Sequence, residues 1–157
     1  MRRDHFELEV DNIDWVDTGD APSEPTVVIN FHGPKEPLLE RLTGPDGDPL
    51  EASATDVAFR LQDPLDAPDA AGVVSVTDRV TGDFLIELNE DAEDVLRFVR
   101  AAREYGQANG DDGGRYSVTI RVDGEPFTTY RKSTFLVYDA NGSLLRSKSL
   151  IPSGVEL

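Results

Sequence analysis

Cysteine is absent from the 157 residues, lysine occurs three times and histidine twice. Without a thiol there is no disulfide scaffold, no cysteine nucleophile and no Cys-ligated metal site. His5 and His32 stand alone, with no His-Glu-x-x-His pattern, and make no recognisable zinc site. No run of about 18 apolar residues is present, so no helical membrane span is expected. Residues Met1 to Val10 lack the apolar stretch of a signal peptide, and a cytoplasmic location is expected. No Gly-x-Ser-x-Gly elbow occurs, and Lys132-Ser133 and Lys148-Ser149 lack the glycine-rich approach of a phosphate-binding loop. No catalytic residue, metal ligand or cofactor site can be nominated on these grounds.

What is present in excess is negative charge. The chain has 19 Asp and 12 Glu against 12 Arg and 3 Lys, for a net charge of −16. Short carboxylates hold water and cations without adding apolar surface, whereas lysine brings a long hydrocarbon stem. Excess Asp with little Lys points to adaptation to multimolar salt. At about 1 M salt the Debye length is only about 3 Å, so self-repulsion becomes tolerable and long-range steering of a partner is lost.

The charge is uneven. Residues 115–148 hold six basic groups, Arg115, Arg121, Arg131, Lys132, Arg146 and Lys148, against three acidic ones. Residues 1–114 hold nine basic groups against 27 acidic ones. The basic stretch suggests a contact surface for an acidic partner, with Arg121, Arg131, Lys132, Arg146 and Lys148 as contact groups and Tyr130 as an aromatic anchor. The competing reading pairs these cations with carboxylates on neighbouring strands.

Alternating apolar residues mark short strands at Phe6-Leu8-Val10, Val27-Ile29-Phe31, Val57-Phe59-Leu61, Val74-Val76, Phe84-Ile86-Leu88 and Tyr116-Val118-Ile120-Val122. The shift of parity to Ile13 and Trp15 implies a bend or bulge near Asp11-Asn12. Thr81-Gly82, Asp123-Gly124 and Asn141-Gly142 are hairpin turns. The last of these predicts a return strand from Leu144 to Ser149, and the apolar tail from Leu150 is expected to dock on the body. Leu38, Leu39 and Leu42 share a short helical turn. One amphipathic helix is expected over about 90–105, capped by Asn89, with Glu93 and Arg97 as an i,i+4 pair and Gly106 as its C-cap. The expected fold class is α+β and β-rich, a mostly antiparallel sheet or sandwich of eight or nine short strands with that one helix, in a single domain over 1–157.

Met1 to Val10 with Asp14-Trp15, Val57-Ala-Phe-Arg-Leu-Gln-Asp-Pro64, Val80-Thr-Gly-Asp-Phe84 and Ser149 to Leu157 resemble segments of a haloarchaeal family of small acidic cytoplasmic proteins of unknown function. The resemblance spans nearly the whole chain. It implies a salt-loving archaeal cytoplasm and no particular activity, ligand or catalytic residue.

Three functional readings follow. The favoured one is a non-enzymatic protein-interaction module using the basic 115–148 stretch. The second is a carboxylate-using enzyme or small-ligand binder whose pocket is framed by loops 63–72 and 107–114. The third, an RNA-associated accessory protein, ranks below a protein partner because phosphate contacts weaken steeply with salt. A pocket of a few hundred Å³ with apolar walls and convergent carboxylates would promote the second.

Overall fold

Strand alternation carries over directly into the architecture. Phe6, Leu8 and Val10 lie in β1 (Phe6–Asp11), which pairs antiparallel with β2 (Thr26–Phe31) so that Val10 meets Val27, Leu8 meets Ile29 and Phe6 meets Phe31. Each apolar side chain thus has an apolar neighbour across the ladder, on the face turned to the core. The computed structural model describes residues 5–110 and 114–151. Within them α1 (Trp15–Thr18) and α2 (Lys35–Leu42) flank β2. Then come β3 (Thr55–Leu61), β4 (Ala71–Asp78), β5 (Phe84–Asp91), α3 (Ala92–Ala108), β6 (Tyr116–Val122), β7 (Glu125–Lys132) and β8 (Leu136–Tyr138).

The strands form two four-stranded sheets, β1-β2-β6-β7 and β5-β4-β3-β8. Both are mixed: four of the six strand pairings are antiparallel, in line with the expected majority, and each sheet adds one parallel pair that was not expected. β2 runs parallel to β6, and β3 runs parallel to β8. Alternation says which face of a strand is apolar, not which strand lies beside it. The parallel neighbours are separated along the chain by strands of the other sheet and by α3, so no local turn signal announces them.

Across the first sheet, Val10, Val27, Val118 and Tyr130 form one inward row. Across the second, Leu88, Val74, Phe59 and Val137 do the same. Residues of both sheets belong to one buried apolar cluster. Helix α3 closes one side of it. Phe98 packs edge-on against Tyr116 of the first sheet at 5.2 Å and against Phe135, beside β8, at 5.9 Å. Such T-shaped contacts place ring edges against ring faces and favour one docking angle.

The helix boundaries differ from expectation. β5 keeps its pairing with β4 through Asp91, opposite Ala71, so Asn89 lies in a strand and is not the cap. The helix begins once ladder pairing ends, with Asp91 at the cap position and Glu93 and Asp94 in the first turn, where carboxylates complement the helix dipole. Gly106 is buried inside the helix, which runs on to Ala108, and Asn109 donates its side-chain N–H to the Tyr105 carbonyl at 2.9 Å. The bend after β1 is real: Asn12 has φ of 64°.

Asn141-Gly142 does turn the chain, with Asp139 Oδ1 accepting from the backbone N–H of Asn141 and Ser143. The expected return strand is replaced by an isolated bridge at Leu144, a 3₁₀ turn over Arg146–Lys148, and a second bridge between Leu150 and Phe135. Leu150 is buried, so the start of the apolar tail does dock; residues 152–157 lie outside the described part.

Candidate functional site

Valine rows from the two sheets line a cavity between them. Val10, Val27 and Val118 face Val57 and Val74 from the opposite sheet around a cavity of about 260 Å³. Packed sheets lie about 10 Å apart, and opposed valines are too short to fill that gap. Leu8, Ile29, Phe135 and, from α3, Val95 and Phe98 complete the apolar walls. Tyr116 also lines the cavity, and its hydroxyl donates to the Thr134 carbonyl at 2.6 Å. Burial pushes this phenol far above its ordinary value, so it stays neutral.

The rim is charged. Asp14, just before α1, joins Glu90 at the end of β5 and Asp94 and Arg97 on α3. Glu90 follows Ile86 and Leu88 in the inward parity of β5, opposite Gly72, and is half-buried. Desolvation raises its pKa above the usual carboxylate value; the nearby charges of Asp94 and Asp91 add to this, and a hydrogen bond with the Asp91 backbone opposes it. Arg97, the rim's basic group, is already engaged: Nη2 lies 3.0 Å from Asp14 and Nε 2.7 Å from Asp17. The expected Glu93–Arg97 pair thus gives way to contacts across to α1. Carboxylate oxygens of Glu90, Asp91 and Asp94 all lie within 4.8 Å of one another. In a chain with 31 acidic residues such proximity arises by chance and does not by itself define a metal site.

The expected frame of the pocket is different. Loop 63–72 borders a separate groove at the start of α3, lined by Leu65, Pro68 and Asp91. Of the loop 107–114, residues 111–113 lie outside the described part, and the described residues do not line the cavity.

The six expected contact residues, Arg121, Tyr130, Arg131, Lys132, Arg146 and Lys148, are distributed over three places. Arg121 and Arg131 are exposed on the outer face of the first sheet. Tyr130 and Lys132 alternate with Arg131 and point inward, at 1% and 8% exposure. Lys132 Nζ donates to the carbonyls of Ala52 at 2.7 Å and Thr55 at 2.6 Å. Burial lowers its pKa, with Arg79 adding to the effect and Asp56 opposing it. The Tyr130 hydroxyl is buried without a protein partner, and burial pushes it up to about 12. Arg146 and Lys148 are exposed on the 3₁₀ turn beside α3, where Arg103 holds the carbonyls of Ser147 and Ser149.

His32 is an exposed strand-end residue 3.9 Å from Glu7, and His5 packs edge-on against Phe31, so neither reaches the cavity. The cavity residues escape a motif search because valine walls look like any core. Glu90 and Asp94 read as ordinary helix N-terminal acids, and only the parity of β5 carried through to Glu90 would have singled it out.

No helix of the described residues is long and apolar enough to cross a membrane. No curated protein and no solved structure matches the chain. The model of a family of unknown function (DUF5793) matches residues 1–157.

Proposed function

We propose that this chain, which belongs to that family of unknown function, is a non-enzymatic small-ligand-binding domain. The observation that carries the reading is the apolar cavity of about 260 Å³ between the sheets, opening at an acidic rim. An apolar void of about 150 Å³ already accommodates benzene, and pockets for drug-sized ligands start near 300 Å³. The guest is therefore a compact or slender apolar molecule. Its polar end is neutral or cationic, because Asp14, Glu90 and Asp94 surround the opening while Arg97 is taken up by Asp14 and Asp17. Hydrocarbon walls, and a Tyr116 hydroxyl already committed to Thr134, suit retention of a guest rather than its transformation.

The test compares two dyes in concentrated KCl: neutral N-phenyl-1-naphthylamine and the anionic 8-anilinonaphthalene-1-sulfonate. The neutral dye should bind one per chain with a blue-shifted emission, and the sulfonate at least about tenfold more weakly, the equivalent of about 1.4 kcal/mol. Val118→Phe and, separately, Val57→Phe should fill the void and abolish binding while the domain still unfolds cooperatively. Undiminished binding to both folded variants would place the dye elsewhere and end the reading.

A second reading keeps the domain as a protein-interaction module, with RNA a weaker candidate partner. It is favoured by Arg121 and Arg131, exposed together on the outer face of the first sheet in an otherwise acidic chain. Substituting both with Ser should then abolish a partner recovered in multimolar KCl; recovery of the domain alone, across growth conditions, counts against it.

A further inference from the structure

The connection between β1 and β2 takes an unusual path for antiparallel neighbours. Residues 12–25 do not turn tightly. They leave β1 through Asn12, whose φ is 64°, form α1, and exit through Gly19, whose φ is 78°. Between these two left-handed points the segment lies against α3. Ile13 and Trp15 are buried, and Ile13 and Asp14 form part of the cavity lining. Polar contacts to α3 come from two carboxylates. Asp14 meets Arg97 at 3.0 Å, and Asp17 meets both Arg97 at 2.7 Å and Arg100 at 3.0 Å. Trp15 adds a contact within the segment, from its indole N–H to the Asn12 carbonyl.

We propose that residues 12–19 are a lid over the cavity, latched to α3 by Arg97 and Arg100. The inference rests on the ligand-binding reading of the cavity. Through Ile13 and Asp14 the lid supplies the part of the cavity wall between β1 and α3, and it is bounded by the left-handed turns at Asn12 and Gly19. The exposed ion pairs are individually weak, so opening is opposed mainly by the burial of Ile13 and Trp15, at about 1.5–3 kcal/mol for each large apolar side chain, and the open form is a minor state in which both sheets stay intact. Releasing it swings Ile13 and Asp14 off the cavity while β1 and β2 keep their ladder. Arg97 then has two roles in one side chain, since it stands on the rim and also holds the strap that covers it.

Trp15 is the only tryptophan in the chain and rides on the lid. Energy transfer from Trp15 to bound N-phenyl-1-naphthylamine, followed by stopped flow, therefore reports guest entry with no added label. Arg100→Gln and Asp17→Asn, neither of which lines the cavity, should each raise the association and dissociation rates by about threefold to tenfold, as expected for losing one or two exposed pairs. The equilibrium affinity should stay within about twofold, because a lid changes both rates together. The opposite change is available because the chain has no cysteine. Asp17→Cys with Arg97→Cys, joined by a short bismaleimide, should slow entry at least about tenfold relative to the same variant left unlinked. Dye binding with equal rates in the released, native and cross-linked forms would overturn the lid alone. Absence of dye binding in all of them would overturn the cavity reading and the lid with it. If Asp17→Asn fails to unfold cooperatively, Arg100→Gln, which removes a single pair, takes its place, and the cross-linked pair decides by itself.

Discussion

Lys132 and Tyr130 are neighbours on β7 with opposite consequences for stability. The Lys132 ammonium donates to two backbone carbonyls: that of Thr55, and that of Ala52, which also accepts from the Thr55 hydroxyl and backbone N–H. Lys132→Met keeps the stem's packing and removes the ammonium from the buried Thr55 carbonyl, so unfolding free energy should fall by about 1–3 kcal/mol. The Tyr130 hydroxyl is desolvated without a protein partner, and Tyr130→Phe should be neutral or stabilising by up to about 1 kcal/mol. Urea denaturation at fixed KCl measures both, and a larger loss for Tyr130→Phe than for Lys132→Met would contradict this account. These two residues also mark a limit of sequence reading. A lysine and a tyrosine in a locally basic stretch look like contact groups, and only the pairing of Tyr116 with Lys132 and Val118 with Tyr130 turns them inward.

At the scale of elements, Gly72 is the tightest point of the second sheet. It stands between Leu61 of β3 and Glu90 of β5, and a Cβ there would overlap the Arg60 carbonyl oxygen and press on the Phe59 ring. Gly72→Ala should therefore cost about 1–3 kcal/mol, visible as a lower urea midpoint, because the obstacle is backbone that cannot rotate away. Wild-type stability in this variant would mean that β3 and β4 separate more readily than their register implies. The strands β1, β2, β3, β5 and β6 were legible from their alternating apolar residues, as were the helix and the turns at Gly82, Gly124 and Gly142, except that a register shift of β5 against β4 leaves Phe84 exposed and Leu85 buried. The parallel pairs were not, since a strand's own residues say nothing about a partner supplied much later. The cavity was equally hidden: Val10, Val27, Val57, Val74 and Val118 are each ordinary core residues, and the void exists only because two sheets set them opposite one another.

For the whole molecule, the governing quantity is a charge of −16 on 157 residues. The ion pairs of the described residues, such as Lys35 with Asp123 and Arg79 with Asp56, engage a minority of the carboxylates and lie at the surface. Repulsion among the rest is relieved by mobile ions, so the urea midpoint should rise as KCl increases from about 0.5 M to about 3 M. A midpoint that is flat or falls over that range would detach the acidity from salt tolerance and return it to partner binding. The parallel pairing of β2 with β6 has a different consequence, one for the order of events during synthesis. Thr26 is placed opposite Ser117, about ninety residues further on. At about 5–20 residues per second, the edge of β2 that β6 will cover stays open for on the order of 5–18 seconds after β2 is made. During that time Val27, Val28, Ile29 and Phe31 form an apolar strand edge with no neighbour on one side, the kind of edge that templates aggregation. β1 covers only the opposite edge of β2, so this edge stays unpaired until the second half arrives, and folding to completion belongs to the slow, non-local regime of milliseconds to seconds.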